Sequence, residues 1–534
     1  MTSGADLLPR GLLPGLTRRL SRSQLLQAVA LLLPACWALG YLQPPLNHDA
    51  ALILDVAGRW LDGARLYVDV IDINPPLVFL LAALPEMLAR HFAAVDGPTA
   101  FVLMVLGLAG GALLLAHRVI TLAGSGFGPV SRFLLPPLLA FLLLVYPDDM
   151  FGQREHIMLI ASMPYLLAAV PRAGGQRLPD GLLWTIMAAA GIGFALKPHF
   201  LLALALVEVC LMALRRQPGL RDPALWWLAA GPALQGFLMI AVMPEYLAEI
   251  VPMAFRQYAE QGEAMWAVAT GGLIGPVLAV SLPLAGIAVA LRGLQLQRLV
   301  VLYVLGSAVA AVVQAKGWSY QSLPATAGCL LLVFSTLAGV IDRYLPRRTA
   351  AAGAPAIAGL LLLTCYFHGA TLGLPFQPQR GFATSDTRRL LDVVQRHAFD
   401  GRVMIVSPGV LPHFPMVNYA RVRLTGRFES MWLLQGIYGD CGRPAPYNPP
   451  ARMSADERRI FDGLSADFAH DRPSLVIIDT DAGIPACGGP AFDYLEYFGR
   501  NSVFAATLDE YEEITAFGRY RIFQRTTGTD PEEL

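Results

Sequence analysis

Long apolar runs separated by short polar loops dominate the chain from about residue 98 to 370, and from 371 onward the pattern becomes that of a water-soluble protein. A helix needs about 20 apolar residues to cross a bilayer, with a range of about 17 to 25. Segments at or just below that length lie near 24–42, 77–95, 99–117, 131–147, 156–171, 181–196, 199–214, 223–243, 271–291, 299–315, 323–341 and 354–370, twelve candidates in all. In the tail, 402–407 (RVMIVS) and 474–480 (SLVIIDT) predict strands, and the polar-apolar stretches 384–398 and 454–470 predict helices. That alternation is the mark of an α/β domain. The expected fold is therefore a polytopic α-helical membrane protein: a transmembrane domain over 1–370, with a first outer loop at 43–98, and a soluble α/β domain over 371–534.

Arginines decide which side each loop faces. Short loops rich in Lys or Arg stay on the cytoplasmic side. Arg10, Arg18, Arg19 and Arg22 precede the first segment, and Arg118, Arg132, Arg172, Arg177, Arg215, Arg216, Arg221, Arg292, Arg298, Arg343, Arg347 and Arg348 mark alternate loops after it. Loops 148–156, 197–198, 244–270 and 316–322 then face outward together with the tail. An inner N-terminus and an outer tail require an odd number of crossings. The segment 77–95, which carries Pro85, Glu86, Arg90 and His91, is the weakest candidate, so about eleven helices are expected to cross. The expected location is a bacterial inner membrane, with the N-terminus cytoplasmic and the C-terminal domain periplasmic.

Charge narrows the function. Only 15% of the 534 residues are charged, against about 25% in an average soluble protein, and the 40 basic residues equal the 40 acidic ones. No basic excess exists for a nucleic-acid footprint, so nucleic acid is not an expected partner. No Cys/His spacing fits a zinc site, and no cofactor is called for, with a divalent metal left open. Gly124, Gly126 and Gly128 sit in an inner loop without a preceding strand and read as a linker rather than a nucleotide fingerprint.

Chemistry concentrates in the outer loops. The first reads NHDAALILDVAGRWLDGARLYVDVIDINPPL from Asn47 to Leu77. Leu52, Val56 and Trp60 follow Asp49 at roughly helical spacing, predicting an amphipathic helix on the outer membrane face that Gly63 ends. Tyr67, Asp69, Asp72 and the turn Asn74-Pro75-Pro76 follow. Most loop aspartates are solvated charges. Asp49, placed at the bilayer surface just after the first span, is also where a base could meet a lipid-held substrate.

This order of early carboxylate, amphipathic helix, Gly, Tyr-x-Asp and Pro-Pro turn resembles the GT-C class of polyprenyl-phosphate-sugar-dependent membrane glycosyltransferases, which includes the protein O-mannosyltransferase and lipid A aminoarabinose transferase families. The resemblance implies that Asp49 is the catalytic base on the acceptor. It also implies a polyprenyl-phosphate-linked sugar donor, an acceptor hydroxyl on a periplasmic lipid, glycan or protein, and inversion at the sugar. Those families usually carry Asp-Glu where this chain has Asp49-Ala50.

Lys197 and Lys316 are the only lysines in the chain, and both fall at outer membrane ends. Lys is a compact charge suited to phosphate; the plain alternative is an interfacial anchor. The stretch from Lys316 through Tyr320 to Pro324 is similar to the basic-x-x-x-Tyr-x-x-x-Pro segment that contacts the donor in that class. Gln153-Arg154-Glu155-His156 begins a span, where polar side chains are expensive. Arg154 is a candidate for donor phosphate or for orienting Asp49, with an internal Arg154–Glu155 pair as the alternative. Tyr67, Asp69, Asp72 and His156 complete the donor-side candidates. Loop 244–270 reads as a solvated helix rather than the acceptor entrance. Cys441 and Cys487, the only tail cysteines, are expected to form a disulfide on an oxidising side. A transporter or flippase for a lipid-linked glycan, or a glycan polymerase, remains the alternative function.

Overall fold

The computed structural model describes residues 22–526 apart from 93, 216–221, 259–261, 292, 347–355, 357–358, 362–376, 440–445 and 486–490. Among the described residues, fourteen α-helices fill the stretch up to residue 344: α1 (Arg22–Gly40), α2 (His48–Leu61), α3 (Pro76–His91), α4 (Gly97–Leu122), α5 (Pro129–Leu144), α6 (Arg154–Ala173), α7 (Asp180–Ala195), α8 (Leu201–Arg215), α9 (Pro223–Phe237), α10 (Val251–Gln257), α11 (Met265–Thr270), α12 (Ile274–Ala290), α13 (Gln295–Val313) and α14 (Ser319–Tyr344). Among the described residues, Gly97–Leu122, Arg154–Ala173, Pro223–Val242, Gln295–Val313 and Ser319–Tyr344 are long and apolar enough to cross a bilayer. Five more apolar helices are shorter, at Gln27–Gly40, Pro129–Leu144, Asp180–Ala195, Pro198–Leu214 and Ile274–Ala290. The candidate near 354–370 falls almost wholly outside the described residues.

Small residues let some of these helices touch at the backbone. A Cβ on Gly191 of α7 would stand 2.3 Å from the Leu228 carbonyl oxygen of α9, and one on Gly231 would stand 2.2 Å from Gly191 itself. In lipid, where apolar side chains gain nothing by leaving the solvent, such close approach supplies the packing. Any larger residue at either glycine would force α7 and α9 apart.

The tail carries a five-stranded sheet of order β2-β1-β3-β5-β4, with β1 at Arg402–Val406, β2 at Arg423–Leu424, β3 at Leu475–Asp479, β4 at Tyr511–Phe517 and β5 at Tyr520–Arg525. β1 pairs in parallel with β2 and β3, and β5 pairs antiparallel with β3 and β4. The two predicted strands are β1 and β3, interior strands with unbroken apolar runs at 403–406 and 475–478. β2 is too short for a periodicity, and β4 alternates around an exposed face (YEEITAF), so neither offers an apolar run. The predicted tail helices are found at Asp386–His397 and Ala455–Asp471.

One expectation is corrected at α2. It does not lie on the membrane with one polar face in water: Ala50 to Ala57, except Asp55, are all buried. The helix is sandwiched between α3 and the tail helix His413–Ala420. Asn418 Nδ2 donates to the Ala51 carbonyl at 3.0 Å, and the Tyr419 hydroxyl accepts from Leu46 N at 2.8 Å. The tail thus forms the roof of the first outer loop.

Candidate active site

A cleft of about 830 Å³ opens between helix ends and the tail. Asp49 stands on its wall in the first turn of α2, where Asn47 caps the helix by accepting from Asp49 N and Ala50 N. Its Oδ2 lies 3.7 Å from Arg154 Nη2, and its Oδ1 lies 3.6 Å from His48 Nε2. Asp49 keeps 21% of its side chain exposed, so an incoming hydroxyl can reach it. Arg154 comes from the first turn of α6 and is buried.

Three cations line the same cleft as this carboxylate. Besides Arg154 they are Lys197, between α7 and α8, and Lys316, between α13 and α14. Lys197 Nζ bonds Glu155 Oε1 at 2.5 Å, and the same ammonium lies 5.2 Å from the Tyr320 ring centroid. Lys316 Nζ donates to the Tyr258 carbonyl and stands 3.9 Å over the Tyr258 ring. Burial pushes both lysines down to about 8, and Glu155 opposes that shift only at Lys197. The closest ion pairs are Arg154 with Asp49 and Glu155 with Lys197, because successive helix residues point about 100° apart, while the Glu155 charge still acts on Arg154 more strongly than that of Asp49. Glu155 is fully buried, so Lys197 is the cation that keeps its carboxylate in place.

The remaining candidates divide. Asp72 lines the cleft, its Oδ1 accepting from Asn74 N at 2.6 Å, and burial raises its carboxyl above the usual range. Tyr67 stands behind the wall, buried, its hydroxyl donating to the Asn74 carbonyl at 2.7 Å. It braces the Pro-Pro turn. Asp69 points to solvent and chelates Arg65 at 3.0 Å. His156 is a core histidine: Nδ1 accepts from Gly152 N at 3.0 Å and Nε2 pairs with the Leu143 carbonyl at 2.9 Å, leaving neither ring nitrogen for a ligand or metal. Cys441 and Cys487 lie outside the described residues.

Loop 244–270 is not the solvated helix expected. Tyr246, Ile250, Ala254 and Tyr258 line the cleft, and their spacing of four was a readable signal of one buried helix face. A π-helical stretch, Tyr246–Ile250, carries the first two. Two of its charges pair with the tail while staying partly in water: Arg256 with Asp456 at 2.8 Å and Glu249 with Arg459 at 2.7 Å. His48, and Glu429, Trp432 and Gln435 of the tail, also line the cleft and were not among the expected residues. The tail residues follow β1 in the chain, and ligands in open α/β sheets gather beyond the carboxyl ends of parallel strands.

No family model matches the sequence, and no curated protein matches it. Solved structures do. ArnT from Cupriavidus metallidurans bound to undecaprenyl phosphate superposes with a TM-score of 0.52 at 13% identity, over 94% of this chain and 98% of that one. The chain shares the ArnT fold. The apo form of the same ArnT gives a TM-score of 0.51 at 14% identity, covering 93% and 97%. ArnT belongs to the GT-C class that the first outer loop resembles. The ArnT-like fold spans the helices and the tail together, and with its apolar helices it makes the chain a membrane protein.

Proposed function

We propose that this chain transfers a sugar from a polyprenyl-phosphate donor to a hydroxyl on a periplasmic lipid, glycan or protein. The observation that carries the reading is one cleft in an ArnT-like fold that holds a reachable carboxylate, Asp49, against three cations, Arg154, Lys197 and Lys316. Undecaprenyl phosphate bound to ArnT supports the donor class. In this reading the protein sits in a bacterial inner membrane with its N-terminus inside and its tail, residues 371–534, in the periplasm.

Asp49 takes the proton of the acceptor hydroxyl as its oxygen attacks the anomeric carbon. The bond from that carbon to the phosphate oxygen breaks, and its electron pair leaves on polyprenyl phosphate. Attack opposite the leaving group inverts the anomeric centre. The leaving group is already an anion and needs charge stabilisation more than a proton, which is what fixed cations in a dry site supply. Tyr320 holds Lys197 from one side, so that ammonium is set before substrate arrives.

The test is turnover of purified protein with labelled undecaprenyl-phosphate sugars and a periplasmic lipid extract, scored by release of undecaprenyl phosphate. Wild-type protein releases it, and Asp49→Asn lowers the rate by about 100- to 10,000-fold, the usual worth of a general base. An Asp49→Asn protein that inserts and transfers at the wild-type rate would sink the assignment. Movement of the donor across the bilayer without bond cleavage would replace transfer by transport.

A further inference from the structure

One parallel β-bridge joins the first outer loop to the tail. Ile71 pairs with Phe428, and Ile71 N donates to the Arg427 carbonyl at 2.7 Å. Strands paired this way run about 4.8 Å apart, so the next residue on each, Asp72 and Glu429, are neighbours. Both are buried, at 8% and 3% exposure, and both line the cleft. Burial raises the Glu429 carboxyl above the usual range, and the Asp55 and Asp72 charges raise it further.

Glu429 is only half satisfied. Its Oε1 receives Arg59 Nη1 at 2.7 Å, while Oε2 has no hydrogen-bond partner. A buried polar oxygen without a partner is costly. Nothing in the tail's own packing requires that cost, since the main chain at this point is held by His413, whose Nε2 bonds the Glu429 carbonyl at 3.0 Å. Of the cationic groups of the cleft, Arg154 is felt at Asp72, whereas the cation that acts on Glu429 is Arg59, so a donor phosphate held by Arg154, Lys197 and Lys316 leaves Glu429 to meet an uncharged, hydrogen-bond-donating group.

We propose that Asp72 and Glu429 form a sugar subsite, in which Glu429 accepts a hydrogen bond from a hydroxyl of the transferred sugar. The tail is then part of the specificity of the reaction, and not only its roof. This rests on the transfer reading above.

The experiment compares Glu429→Gln and Asp72→Asn with wild type, using undecaprenyl-phosphate sugars as substrates and undecaprenyl phosphate, which has no sugar, as a competitive inhibitor. Expected for each variant is a rise in donor KM of about tenfold, the worth of one hydrogen bond, with the inhibition constant of undecaprenyl phosphate unchanged. Asp72→Asn leaves the Arg59–Glu429 pair untouched, so it guards against a folding defect in Glu429→Gln. Parallel loss of donor and inhibitor binding in both variants assigns the pair a structural role and overturns the proposal. Unchanged donor KM, or a fall confined to kcat, overturns it as well. A wild-type protein that turns over no such donor overturns the transfer reading itself, and the subsite with it.

Discussion

Arg59 on α2 and Glu429 in the tail, 370 residues apart in the chain, form a buried ion pair with Nη1 and Oε1 2.7 Å apart. A second Arg59 nitrogen donates to the Gly426 carbonyl at 2.7 Å. Together they tie the first loop to the tail above it. Removing one partner of a buried pair leaves the other charge uncompensated and costs about 3 to 5 kcal/mol. Arg59→Met is therefore expected to lower the unfolding midpoint in detergent and to speed proteolytic release of the tail. Equal melting and cleavage rates for variant and wild type would show that other contacts carry the docking.

Lys197 and Glu155 make a second buried pair with separable roles. Lys197→Ala strands Glu155 in the protein interior, so about 3 to 5 kcal/mol of stability is lost along with activity. Adding Glu155→Gln removes the stranded charge and should recover most of the stability. Activity stays low in the double variant, because the phosphate still lacks its cation. Thermal melting and turnover of the two variants, measured side by side, decide this; recovery of turnover with the double variant would mean that Lys197 is only a counter-ion for Glu155.

The two lysines also predict a pH limb. Burial holds Lys197 and Lys316 near 8, so each is charged below that pH and neutral above it. Donor binding should weaken as pH rises through about 8, and more steeply than one titration allows. Replacing both by Arg, which stays protonated, moves the limb out of range. A log kcat/KM profile that bends at the same pH in wild type and in the double Arg variant would locate the titration elsewhere.

A thiol count addresses the tail cysteines. The chain has six cysteines, and the denatured, unreduced protein is expected to show four reactive thiols if Cys441 and Cys487 are bridged. A closed loop of this length stabilises by about 4 to 5 kcal/mol in the chain-entropy model. Six reactive thiols would remove the bridge.

The sequence by itself determined what depends on local order. Apolar runs set the apolar helices, because bilayer thickness fixes a length that can be read along one strand of text. β1 and β3 showed for the same reason, as uninterrupted apolar stretches, and Asp49, Arg154, Lys197 and Lys316 stood out as charges at the ends of such runs. Only the tertiary structure decided which charges meet. Arg154 and Glu155 are adjacent in sequence yet serve Asp49 and Lys197 separately, since the turn of a helix sends neighbours to different faces. Asp69 and Asp72 are three residues apart, and one pairs with Arg65 in solvent while the other enters the cleft. His156 looked exposed to chemistry and instead spends both nitrogens on backbone groups. Glu429 carried no signal at all. Its place comes from a backbone bridge between Ile71 and Phe428, a contact over more than 350 positions that no local periodicity records.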